Sequence, residues 1–254
     1  MQLKVDHSIL ILRLVLAISF LGHGLVSFGF SPSISLHQKF ISIANFTAIS
    51  DDNLVLAHAV FDILMALLLS VNVRLKQVAI AVISYLVLVS LVAMAYYFNQ
   101  TNSIFGFAEL FRRLPWMFFA VMILQLLKSK ERYYLLRIGL SFAFIAHGLA
   151  SLGFFGLSQG HIDLALNIIP QEKAASFVFY TGISDTIIGV LLFFGILTRY
   201  VSILSILWIA FIVYLSYLTA FPDAIFRSAL LLAAIYLFIE KRAHGFLFST
   251  PNDK

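Results

Sequence analysis

Eight stretches of this chain, approximately residues 8–30, 53–71, 78–98, 105–127, 134–156, 177–197, 201–220 and 223–240, are almost free of charge and rich in apolar side chains. Each holds the roughly 20 residues a helix needs to cross a ~30 Å hydrocarbon core. Within lipid a backbone must satisfy its own hydrogen bonds, so runs of this length and composition leave helices as the solution. The whole chain agrees: of 254 residues 61% are apolar and 11% charged. A soluble domain carries about 25% charged residues because its surface must face water. The sequence therefore predicts an all-α, polytopic integral membrane protein with eight transmembrane helices, and excludes a soluble, disordered or nucleic-acid-binding one. The absence of cysteine excludes disulfides, thiolate metal sites and dithiol relays. The first span carries Arg13 and His23, lacks a small-residue cleavage pattern and is too long for a signal peptide, so it is expected to be a retained helix.

Charge explains orientation. Eight spans place the N-terminus, the C-terminus and loops 72–77, 128–133 and 198–200 on one side, with Lys4, Arg74, Lys76, Lys128, Lys130, Arg132, Arg199, Lys241, Arg242 and Lys254. The opposite side mixes its few basic residues with acids. Lys and Arg are retained on the cytoplasmic side during insertion, so both termini are expected to be cytoplasmic, in a bacterial inner membrane. The net charge of +5 is thus a topology signal and calls for no nucleic-acid partner.

The chain also repeats itself. Residues 12–30 (LRLVLAISFLGHGLVSFGF) and 136–154 (LRIGLSFAFIAHGLASLGF) share ten of nineteen positions, among them Arg13/Arg137, His23/His147 and Gly24/Gly148. Asp62 then matches Asp185, and Glu109-x-x-x-Arg113 matches Asp223-x-x-x-Arg227. Lipid explains shared apolar residues but not rare polar ones in matching order. The expected object is two parallel-repeat four-helix bundles, residues 1–130 and 131–254, related about an axis along the membrane normal.

At ~1.5 Å per residue, His23, Asp62 and Arg113 lie about 10 to 13 Å below the outer surface, as do His147, Asp185 and Arg227. Charges at such depth are paired, or face water or a ligand. One reading pairs Asp62 with Arg113 and Asp185 with Arg227 across helices, with histidine as filler. The other is a ligand-binding pocket in the outer leaflet built from all six residues, in which imidazole donates to a quinone carbonyl and aspartate relays the proton. Glu109 and Asp223 are expected to pair structurally with the arginine one turn away. His58, one turn from Asp62, could join His23 in a two-His, one-carboxylate set. No fourth ligand is evident and Thr181 replaces His58 in the second half, so no metal is expected. Arg13 and Arg137 are expected to snorkel to the headgroups, glycines 22, 24 and 148 to allow close helix approach, and Trp116 and Trp208 to be belt or packing residues. The loops 31–52 and 157–176 are expected to hold short helices on the membrane surface.

The run Leu136-Arg137 … His147-Gly148-Leu149, followed by Ser184-Asp185-Thr186-Ile187-Ile188-Gly189 … Gly195-Ile196-Leu197-Thr198-Arg199, resembles the DoxX-like superfamily. The first half keeps Arg13, His23, Gly24 and Asp62, but has Ala66 where the second has Gly189, and its closing Val71–Lys76 segment is degenerate. The chain thus resembles a fused duplicate of a four-helix DoxX-like unit. The resemblance implies a subunit of a redox-linked membrane complex, accessory rather than a self-contained enzyme. It implies no intrinsic cofactor beyond a bound quinone, and as partners the bilayer and other membrane or extracytoplasmic redox subunits. The competing readings are a structural or assembly subunit and a carrier for a small polar solute.

Overall fold

A computed structural model describes residues 7–31, 50–101, 105–124, 129–154 and 159–240. They form helices α1 (His7–Leu25, continued by a π-helical turn Val26–Phe30), α2 (Asp51–Val71), α3 (Leu75–Thr101), α4 (Phe105–Ile123) and α5 (Ser129–Ser151). The chain continues with the short α6 (Gln159–Ala165), then α7 (Gln171–Phe194), α8 (Thr198–Thr219) and α9 (Phe221–Ile239). The protein is an all-α, polytopic membrane protein. Among the described residues seven helices, rather than eight, are long and apolar enough to span. The exception is α4, whose 19 residues enclose Glu109, Arg112 and Arg113. Three charges so close together make it too polar to stand as a span by composition.

Local chemistry sets the helix ends. Ser50 accepts the Asn53 N–H ahead of α2, and Asp51 and Asp52 in the first turn favour the positive end of its dipole. At the other end Asn72 turns left-handed, φ 61°, and its N–H returns to Leu68 O. Gly195 closes α7 with the same turn, φ 76°. Arg13 does not snorkel. Its Nε and Nη2 each donate to carbonyls of Leu69 and Ser70 at 2.8 Å, capping the C-terminal end of α2. This is a site of negative dipole and orphan acceptors. Arg137 is likewise fully buried, with the Tyr134 ring 5.1 Å from its guanidinium.

The helices pack in two layers. One runs α2, α1, α9, α8 and the other α3, α4, α5, α7, with the strongest contacts between neighbours within a layer. Consequently α1 packs on α9 and α4 on α5, across the middle of the chain. A single core results, to which Leu16, Leu69, Phe119, Leu140, Leu192 and Leu237 all contribute. The small residues act as expected. A Cβ on Gly22 would meet the Phe226 backbone of α9, and one on Gly148 would lie 2.7 Å from the Thr186 nitrogen of α7. Of the two expected surface helices, α6 is present, seating Ala165 against Ala174 and Val178; residues 32–49 lie outside the described residues.

Candidate functional site

The polar side chains gather at the end of the bundle opposite His7 and Ile239, called the distal end below, in three groups. In the first, α1 contributes His23, α2 contributes His58 and Asp62, and α3 contributes Tyr85. The i,i+4 spacing puts His58 and Asp62 on one face of α2. His23 Nδ1 lies 2.7 Å from Asp62 Oδ2, and His58 Nε2 lies 3.6 Å from the same oxygen. The Tyr85 hydroxyl stands 2.6 Å from His58 Nδ1 and also reaches the Asp62 carboxylate. Asp62 is fully buried, and its Oδ1 has no hydrogen-bond partner. The charge of Arg113 acts on Tyr85, which places this arginine toward the same group without a contact to Asp62. The expected Asp62–Arg113 ion pair is replaced by imidazoles on the carboxylate. The reason is the layering: α2 packs on α1 and α3 rather than on α4, which lies diagonally across the first half.

The second half does not reproduce this group. Asp185 is buried on α7 close to the Trp208 indole of α8, with its Oδ1 left without a hydrogen-bond partner, while Arg227 on α9 lies diagonally across. The expected Asp185–Arg227 pair is therefore not formed, and Trp208 is no belt residue. Its place was legible after all, since Trp208 follows Tyr85 by the same 123 positions that separate Asp185 from Asp62. Trp116 is a packing residue, buried against Phe119 and Phe226.

A third group joins the two halves. His147 Nδ1 lies 3.2 Å from His161 Nε2, with the rings stacked, and Ser151 Oγ lies 2.7 Å from His161 Nδ1. Arg112 of α4 and Arg227 of α9 both act on these imidazoles. Burial, followed by the positive charges of Arg112 and Arg227, holds His161 down to about 3, so its ring is neutral at physiological pH. Arg227 is bridged to Asp223 on its own helix, Nη1 to Oδ1 3.6 Å, as the i,i+4 spacing predicts. Ser31 donates to Asp223 Oδ2, tying the end of α1 to the start of α9. The corresponding Glu109 side chain lies outside the described residues. Arg112 was missed by sequence reasoning because it has no matching residue in the other half; His161 does match His37 at the shift of 124 that relates His23 to His147, but both lie in connections rather than spans. A cleft of about 400 Å³, lined by Leu25, Phe30, Phe221 and Pro222, opens beside the Ser31–Asp223 link.

Residues 133–218, from α5 to the end of α8, match the model of the DoxX family. No curated protein and no solved structure matches the chain. By its apolar helices the protein is an integral membrane protein, and residues 133–218 of its second half are similar to the DoxX family.

Proposed function

We propose that this protein is an accessory, redox-linked membrane subunit that seats the headgroup of a quinone-like ring at its distal end. The observation that carries the reading is the juxtaposition of an apolar cleft with a polar string. Leu25, Phe30, Phe221 and Pro222 line the cleft, and Ser31, Asp223 and Arg227 follow directly from its walls. An amphipathic ring with a hydrocarbon tail needs these two surfaces side by side. Arg227 can donate to a ring carbonyl, and the His147–His161 pair can offer a further hydrogen bond to the headgroup. With no cysteine in the chain, the electrons belong to the ring or to a partner protein.

The same reading makes the chain a fused pair of DoxX-like units, 1–130 and 131–254. Three features support it: the repeated sequence, the recurrence of helix pairings α1·α2 and α3·α4 as α5·α7 and α8·α9, and matched left-handed turns at Asn72 and Gly195. It also sets the distal end on the outer face of a bacterial inner membrane, with both termini cytoplasmic, because basic residues crowd the other end. The test is quinone extraction from protein purified in native-lipid discs. The expected result is a quinone held above its level in the surrounding lipid, and its loss in Arg227→Gln and Phe221→Trp. Wild-type protein with no quinone above the lipid level, but with a stoichiometric partner protein, would establish the assembly-subunit reading instead. Solute uptake into sealed vesicles would favour the carrier.

A further inference from the structure

We infer that His23, His58 and Asp62 form a binding site for a divalent transition-metal ion, independent of the quinone reading and in a different part of the bundle. One ligand atom from each residue lies within 4.8 Å of the others, on two helices that pack directly. Metal–nitrogen and metal–oxygen bonds of ~2.0–2.2 Å hold tetrahedral ligand atoms roughly 3.3 Å apart. Two of the three spacings, 2.7 Å and 3.6 Å, bracket that value and the third lies within 4.8 Å, so side-chain movement would close the set.

Three further features point to a cation rather than to a self-sufficient hydrogen-bond cluster. Asp62 is fully buried with Oδ1 unsatisfied, and a buried carboxylate oxygen without a partner is costly. His58 places Nε2 3.6 Å from the carboxylate, and the Tyr85 hydroxyl stands 2.6 Å from its Nδ1 and 3.1 Å from its Nε2, so a small ring rotation would leave Nε2 to a metal and Nδ1 to the phenol. An outer partner on the second ring nitrogen is the usual device for fixing a ligating histidine. Finally, the second half holds an aspartate at the matching position. Asp185 lies near one indole, with Thr181 where His58 stands and its own Oδ1 likewise without a hydrogen-bond partner, so what sets the first half apart is the two imidazoles on its acid. His23 retains 27% side-chain exposure, which gives an ion a way in. Two imidazoles and one carboxylate suit Zn²⁺, Co²⁺ or Fe²⁺, and three protein ligands leave a coordination position open to water or a small molecule.

The experiment uses full-length protein in detergent, purified without a polyhistidine tag, stripped of metal and titrated with Co²⁺ and Zn²⁺. Bound metal is counted by mass spectrometry, and the visible Co²⁺ spectrum reports coordination. One equivalent should bind. Affinity should fall at least tenfold in Asp62→Asn and in His58→Thr, the latter borrowing a residue the second half tolerates. Tyr85→Phe should weaken binding about 10- to 100-fold through loss of the outer partner, and His147→Ala should leave it unchanged. Wild-type protein that takes up no more metal than His58→Thr would overturn the site. So would a His147→Ala variant that loses the metal equally.

Discussion

Asp62 shares its pocket with two imidazoles and a phenol, whereas Asp185, at the matching position of the second half, rests on a single indole. The difference lies in neighbours rather than in backbone, since the two helices carrying these acids end in the same left-handed turn. The second half instead spends its histidine on a partner from α6, at the seam where Arg112 and Arg227 meet. Two segments that share a sequence motif thus hold different chemistry around their buried acids. The acid is retained in both, while the group facing it is free to vary.

The halves should differ most under crowding at their small residues. A Cβ on Gly148 would lie 2.7 Å from a backbone nitrogen of α7, whereas one on Gly24 would meet mainly the movable end of Ile63 at 2.9 Å. Gly148→Ala is expected to destabilise by about 3 kcal/mol and Gly24→Ala by about 1 kcal/mol. Thermal melts in detergent read both. Equal losses would mean that the two first-to-second helix contacts are packed alike, which would erase this contrast.

Next in size is the loss of the aromatic partner. Trp208→Phe removes the indole N–H beside Asp185 and should cost about 2–3 kcal/mol, the penalty for a buried acid left without its polar neighbour. Tyr85→Phe should cost about 1 kcal/mol, because His23 still holds Asp62 at 2.7 Å. The order of the two losses is the test. A larger loss for Tyr85→Phe would show that the imidazoles do not support the first-half acid.

A third contrast appears only in acid. His161 is held from its ordinary 6.5 down to about 3, first by burial and then by Arg112 and Arg227, with His147 stacked on its other side. The unfolded chain therefore binds this proton before the folded one does. The stability involved is complete above about pH 6.5 and is lost as pH falls toward about 3. Melting temperature should drop between pH 7 and pH 5, and His161→Asn should flatten that drop. An unchanged drop in the variant would move the acid sensitivity away from the seam.

The sequence made much of this readable, for definable reasons. Seven spans, the buried repeat motif and the gathering of His23 and Asp62 follow from hydrophobic length and helical rise, which lipid enforces. Which acid meets which base was not readable, because pairing depends on the order of helices around the bundle. Placing α2 and α4 diagonally denies Asp62 its arginine, and placing α7 and α9 diagonally denies Asp185 its own. Depth alone is blind to that. The His147–His161 contact was hidden for another reason: α6 belongs to a connection, and only tertiary packing brings it over the end of α5.

The smallest effect tests the backbone the halves share. Positions 72 and 195 turn left-handed with φ 61° and 76°, and positions 74 and 197 follow with φ 45° and 49°. Asparagine is among the few residues with a side chain that enter this region routinely, and glycine enters it freely. Exchanging Asn72→Gly and Gly195→Asn should therefore change stability by no more than about 0.5 kcal/mol each, with opposite signs. Leu197 has no such licence, and its side chain is 64% exposed, so little packing is lost on removing it. Leu197→Gly should raise stability by about 0.5–1 kcal/mol, the left-handed penalty of roughly 1–2 kcal/mol less the extra entropy glycine loses on folding. A loss of 2 kcal/mol or more in either exchange would show that the turns are alike in angle only, with side-chain contacts at Asn72 or Gly195 holding them.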